Sequence, residues 1–134
     1  MYAYTSLEVY DKTVGMLTGH GLMVIVNNHV SDAKRCCAED DGNGLWYTKK
    51  FNERKYFAAM EGMTKRYLDN PMVIGNDLRN APRPDTKQHL TPTWGDFNKE
   101  TDWFLAARTA GNKILDINPN LLIFVEGLNF ATDL

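Results

Sequence analysis

Three apolar runs in this chain each end in side chains able to carry chemistry: Asn28 and His29 after residues 22–26, Arg79 and Asn80 after 72–78, and Glu126 and Asn129 after 121–125. Buried strands that close on amides, charges and prolines are how α/β folds present reactive groups at the carboxyl edge of a sheet. The central run, residues 72–84, reads Met-Val-Ile-Gly-Asn-Asp-Leu-Arg-Asn-Ala-Pro-Arg-Pro. Its polar end is the place to expect a carboxyl for acid/base work. Ala81, small and apolar, stands there instead.

The elements that must position these groups follow from periodicity. Thr5 followed by Glu8 is a capping-box signature, and Leu7, Tyr10, Val14 and Leu17 recur at helical spacing, which predicts a helix over 7–17 stopped by Gly19 and Gly21. Residues 22–26, Leu-Met-Val-Ile-Val, predict a strand buried on both faces of a parallel sheet. Residues 30–48 collect Ser31, Asp32, Gly42, Asn43 and Gly44 without an apolar period and predict a long irregular loop. A second helix is predicted over 52–68, capped by Asn52, with Tyr56, Phe57, Met60, Met63, Tyr67 and Leu68 as its apolar stripe and Asp69-Asn70-Pro71 as its stop. After the central strand and a polar loop over 83–99, a third helix is predicted over 102–117, followed by a buried strand over 121–125.

Composition sets limits on partners. The chain has 134 residues, 43% hydrophobic and 24% charged, with a net charge of −2, which suits one soluble domain and makes nucleic acid and anionic membrane poor partners. No apolar run approaches the roughly 20 residues of a spanning helix, and residues 1–5 lack the basic and apolar regions of a secretory signal. Cys36 and Cys37 are adjacent, a spacing that strains a bond between them and excludes a C-x-x-C metal or redox site. They read as two small apolar loop residues, with a disulfide to a partner as the alternative. The acidic stretch 39–43 lacks calcium-loop spacing and reads as a solvated turn. His20 and His89 have no partner at ligand spacing and read as surface histidines, so no metal or cofactor is expected.

Helix and strand alternate three times, which argues for parallel βαβ units in one sheet, either doubly wound or closed as a barrel. No G-x-G-x-x-G fingerprint supports the first, and the polar strand ends match the active face of the second.

The residues themselves carry a resemblance. Residues 72–82 resemble the fourth barrel strand of the cellulase family of retaining glycoside hydrolases, glycoside hydrolase family 5, whose signature there is Asn-Glu-Pro. Residues 22–29 resemble that family's third strand with its terminal histidine. Asp40-Asp41-Gly42-Asn43-Gly44 with Leu45-Trp46-Tyr47, Thr93-Trp94-Gly95, Asp102-Trp103 and residues 118–127 are similar to endoglucanase-like members, in the same order. The resemblance implies α/β architecture: an incomplete (β/α)8 TIM barrel of about three parallel strands alternating with helices, residues 1–134 forming one partial domain.

What the resemblance implies for function is hydrolysis of O-glycosyl bonds in β-glucan-type polysaccharides, with extracellular location for intact relatives. Retaining hydrolysis needs two carboxyl groups about 5–5.5 Å apart. Ala81 occupies the position of the family's acid/base glutamate, and the strand bearing the nucleophile has no counterpart in these residues, so the chain is expected to be catalytically inactive. His29 matches the histidine that lines the sugar subsite, and Asn80 the asparagine that hydrogen-bonds the sugar 2-hydroxyl. Trp46 and Trp94, in polar loops, offer rings that either stack on a pyranose or anchor their loops. Glu126 precedes the family's nucleophile strand and reads as a supporting carboxylate. The partner expected is a β-glucan-like polysaccharide or oligosaccharide, with self-association through exposed barrel edges. A sugar-binding remnant without catalysis, or a truncated product without function, are the alternatives.

Overall fold

A computed structural model describes residues 3–34 and 36–133. Its elements run α1 (Ser6–Gly19), β1 (Val24–Asn27), α2 (Glu53–Arg66), β2 (Val73–Asp77), α3 (Trp103–Leu115) and β3 (Leu122–Phe124). The three strands form one parallel sheet in the order β1-β2-β3, with α2 and α3 as the crossovers.

The helices begin where side chains can satisfy their first backbone N–H groups. Thr5 accepts from the Glu8 N–H while Glu8 reaches back to the Thr5 N–H at 2.7 Å. Asn52 caps α2 through the Lys55 N–H, and Asp102 caps α3 through the Leu105 N–H. Each cap stabilises its helix by about 1 kcal/mol. The Asp102 carboxylate also accepts from the N–H groups of Gly95 and Phe97. That carboxylate, stabilised by these N–H groups against the cost of burial, titrates below its ordinary range.

The register fixes two faces. Val26, Asn76 and Ile123 lie in one row and Ile25, Gly75 and Leu122 in the next, on opposite sides of the sheet. The first side is covered by α2 and α3, and its core is Leu45, Trp46, Tyr56, Met60, Leu78, Trp103, Ala106, Ala107, Ala110 and Ile114. The second side is bare: Ile25 is 43% exposed, Leu122 54% and Phe124 38%. The expectation that residues 22–26 and 121–125 are buried on both faces is therefore corrected. Only Val26 of β1 is buried, because helices cover a single side of these three strands. Gly75 sits in that bare row, where a Cβ would come within 2.8 Å of the Leu122 carbonyl oxygen, so the close approach of β2 and β3 requires glycine.

The loop over 30–48 is irregular as expected, and buried polar groups anchor it. Asn43 accepts from the N–H groups of Ser31 and Asp32, and Gly44 passes so close to the chain at Arg83 and Pro84 that a Cβ there would meet two carbonyl oxygens. Past β3, Leu128–Ala131 forms a short turn with left-handed backbone at Asn129, Phe130 and Ala131, a feature without a periodic signal in the sequence.

Candidate functional site

The carboxyl ends of the three strands place Asn27, Asn28 and His29 beside Asp77, Arg79, Asn80 and Ala81, with Glu126 on the far side. Asn27 and Asp77 are register partners, and the Asn27 amide donates to Asp77 Oδ2 at 2.8 Å. The Asn27 Oδ1 lies 3.2 Å from His29 Nδ1. The Asn80 N–H donates to the Asn28 carbonyl, and its side-chain amide donates to Cys37 Sγ at 3.6 Å. His29 is exposed and Asn80 half-buried, so both present polar atoms at one edge.

At Ala81 the backbone has a φ of 45°, a left-handed conformation that a non-glycine residue holds at a cost of about 1–2 kcal/mol. Its N–H donates to Glu126 Oε2 at 2.8 Å, and its carbonyl accepts from Arg83 Nη1 at 3.0 Å. Glu126 thus ties the β2 loop to β3, and its own carbonyl accepts from the Trp103 indole. Burial, followed by the neighbouring Asp77 carboxylate, pushes the Glu126 carboxyl above its ordinary range, opposed by the Ala81 N–H and by His29. Asp77 Oδ1 is buried without a donor.

Arg79, one of the polar groups expected at the edge, turns inward. It is fully buried, and donates to Asn28 Oδ1, Ser31 Oγ and the Asn43 carbonyl. Burial, then the charge of Arg83, lowers its pKa to about 10. Its work is to hold the 30–48 loop against β2. Arg83 does the same one step further on, pairing with Asp41 at 2.7 Å while its guanidinium lies 5.7 Å from the Phe130 ring centroid.

The two loop tryptophans separate. Trp46 is 0% exposed, its ring packed on Trp103 with centroids 5.4 Å apart and its indole N–H bonded to Glu53. Stacking on a sugar is thereby excluded for Trp46, because its apolar ring is worth more in the core than in a polar loop. Trp94 is 52% exposed, rests edge-on against Phe104, and lines a 380 Å³ depression with Val125, Glu126, Gly127 and Leu128.

The sulfurs of Cys36 and Cys37 lie against each other in the loop after β1. Their sulfurs lie near His29, with all three potential ligand atoms within 4.8 Å of one another. Asn27 and Asp77 are the polar residues at this edge that sequence reasoning passed over. The signal for both was their place at the last polar break of paired strands.

The cellulase model, glycosyl hydrolase family 5, matches residues 2–134. An endoglucanase of Paenibacillus polymyxa is 36% identical over 127 residues, covering 92% of this chain and 28% of the relative. The major extracellular endoglucanase of Xanthomonas campestris pv. campestris is 34% identical over 124 residues, 92% of this chain and 23% of its own. The solved catalytic domain of the major endoglucanase from that organism has a TM-score of 0.79 at 31% identity, covering 95% of this chain and 33% of that one. An endocellulase of Pyrococcus horikoshii, solved as an E201A complex with cellotetraose, has a TM-score of 0.75 at 34% identity, covering 95% and 34%. The chain spans about a quarter to a third of the length of these relatives.

Proposed function

The chain belongs to the cellulase family, glycosyl hydrolase family 5, and its three parallel strands are part of a TIM-barrel fold; on that premise we propose that residues 1–134, as one partial barrel domain, bind a β-glucan-type oligosaccharide without cleaving it. What supports this reading is Ala81, which stands between Asn80 and Pro82 where the resemblance puts the family's acid/base glutamate. A methyl group holds no proton. General acid/base assistance is worth roughly two to four decades of rate, about 3–5 kcal/mol of barrier. The nearest carboxyls do not substitute for it, since Glu126 is engaged with the Ala81 N–H and with Asp77. Sugar contact falls to His29 and Asn80 at the strand ends, with the exposed ring of Trp94 as the stacking surface. The cellotetraose complex of the Pyrococcus horikoshii relative supports the ligand class. The extracellular endoglucanase of Xanthomonas campestris supports a secreted setting.

The second reading, favoured by the family match along the whole chain, is O-glycosyl hydrolysis when the remaining barrel strands are supplied. Calorimetric titration with cello-oligosaccharides separates the two. Saturable heat that His29→Ala reduces about tenfold in affinity, with no reducing sugar released, is expected. No heat at millimolar ligand refutes binding, and reducing sugar released by the purified chain refutes inactivity. Ala81→Glu alone is expected to leave turnover undetectable, because retaining cleavage needs a second carboxyl as nucleophile.

A further inference from the structure

We propose that Phe97, carried with Trp94 on one turn before α3, is a second aromatic platform that binds the pyranose faces of a long β-glucan chain beyond the strand-end site. This rests on the sugar-binding reading for the chemistry of the ligand, and extends it from short oligosaccharides to the polymer. Phe97 combines two unfavourable features. Its ring is 76% exposed, and its φ of 64° lies in the left-handed region that a residue with a Cβ adopts at a steric cost. Strain of this kind persists only where the surroundings over-determine it.

The hydrogen bonds of the turn do so. The buried Asp102 accepts from the Phe97 N–H at 2.8 Å through one carboxylate oxygen and from the Gly95 N–H at 2.9 Å through the other. Gly95 supplies the turn's other left-handed position, with a φ of 74°. The Thr93 N–H donates to the Thr101 carbonyl at 2.7 Å, and the Trp103 N–H to the Thr93 carbonyl at 2.8 Å, which ties the turn to the start of α3. These bonds fix the backbone, so the ring is held outward rather than left there by a loose loop.

Trp94, exposed at the start of the same turn, is braced edge-on by Phe104 with ring centroids 5.5 Å apart. Trp94 lines the depression beside Glu126 and Phe97 does not, so Phe97 meets a ligand only where that ligand runs out of the depression. Asp96, Asn98, Lys99 and Glu100 flank Phe97 along the chain and are exposed. Apolar rings among exposed hydrogen-bonding groups suit a ligand with apolar faces and hydroxyl edges, which is what a β-linked pyranose chain offers.

The test uses the 134-residue chain, with sedimentation on insoluble cellulose read against a blank without cellulose, and calorimetric titration with cellobiose. The chain is expected to bind cellulose more tightly than cellobiose, and Phe97→Ala to weaken the cellulose affinity about tenfold while Phe97→Tyr keeps it. Phe97→Gly is the decisive variant. It relieves the backbone and removes the ring, so it is expected to keep or raise the melting temperature while losing cellulose affinity as Phe97→Ala does. Full cellulose affinity in Phe97→Ala overturns the proposal, as does a fall in melting temperature in Phe97→Gly, which would mark the ring as a packing group. A lower solution mass for Phe97→Ala with cellulose affinity unchanged overturns it in favour of a contact between copies. Cellobiose heat without retention on cellulose refutes this inference alone, whereas Phe97-dependent retention without oligosaccharide heat refutes the strand-end site alone.

Discussion

At Ala81 the surroundings are organised around a backbone N–H. That N–H points at Glu126, whose carboxyl is pushed above its ordinary range by burial and by Asp77. A carboxyl whose folded pKa is raised stabilises the fold below the unfolded value of 4.5 and loses that contribution as the pH rises through the raised value. Glutamine reproduces the protonated form, accepting from Ala81 while donating to Asp77. Glu126→Gln is therefore expected to keep or raise the melting temperature at neutral pH and to flatten its dependence on pH between about 4.5 and neutrality. Glu126→Ala strands the Ala81 N–H and is expected to cost about 1–3 kcal/mol in denaturant unfolding. Equal destabilisation by both variants would show that Glu126 acts as a simple carboxylate acceptor. Ala81 itself was legible as a small residue in a polar place. The link from the Ala81 N–H to Glu126 was not, because it depends on which strand ends face one another.

At the scale of elements, α1 is held to α2 by charge as well as by apolar contact. Asp11 accepts from Arg66 and from the Tyr67 hydroxyl, and the Arg66 hydrogen bond, followed by that of Tyr67, lowers its pKa from 3.8 to about 2. The same carboxylate, after burial, pushes the Tyr67 hydroxyl up to about 12. A depressed carboxylate pKa contributes stability that is present above the unfolded value of 3.8 and lost as the pH falls toward 2. Acidification through that window is expected to loosen α1 before the α2–α3 core, seen as earlier hydrogen exchange in residues 6–19. Asp11→Asn is expected to abolish that acid-dependent difference, and added salt to shrink it, since the pair is solvent-facing. Uniform exchange across all three helices on acidification would contradict this. The helices were readable because caps and stripes are local: Thr5 with Glu8, Asn52, and the α3 run from Trp103 to Ile114 all act within a few turns. Trp46 misled because its loop is polar in sequence while its ring is claimed by Trp103, more than fifty positions away.

For the whole molecule the decisive feature is a sheet with one clothed and one bare side. Within the described residues β1 and β3 each pair only with β2, so both leave an unpaired backbone edge. The bare side carries Ile25, Gly75, Leu122 and Phe124, and Leu22 and Met23 stand exposed at 54% and 68% just before β1. The strand composition announced burial on both faces, and the mismatch between that composition and one-sided helix cover is the physical reason to expect association. Apolar rows beside open strand edges template pairing with further copies. Light-scattering chromatography is therefore expected to show mass above that of one chain, growing with concentration. Ile25→Lys with Leu122→Lys places charge on the bare face without touching the core on the helix side, and is expected to return the chain toward a single copy. Screening those charges with salt should restore association, which a change caused by unfolding would not do. A sharp single-chain peak for the unmodified protein, with one cooperative unfolding transition, would mean that the bare face is tolerated in water.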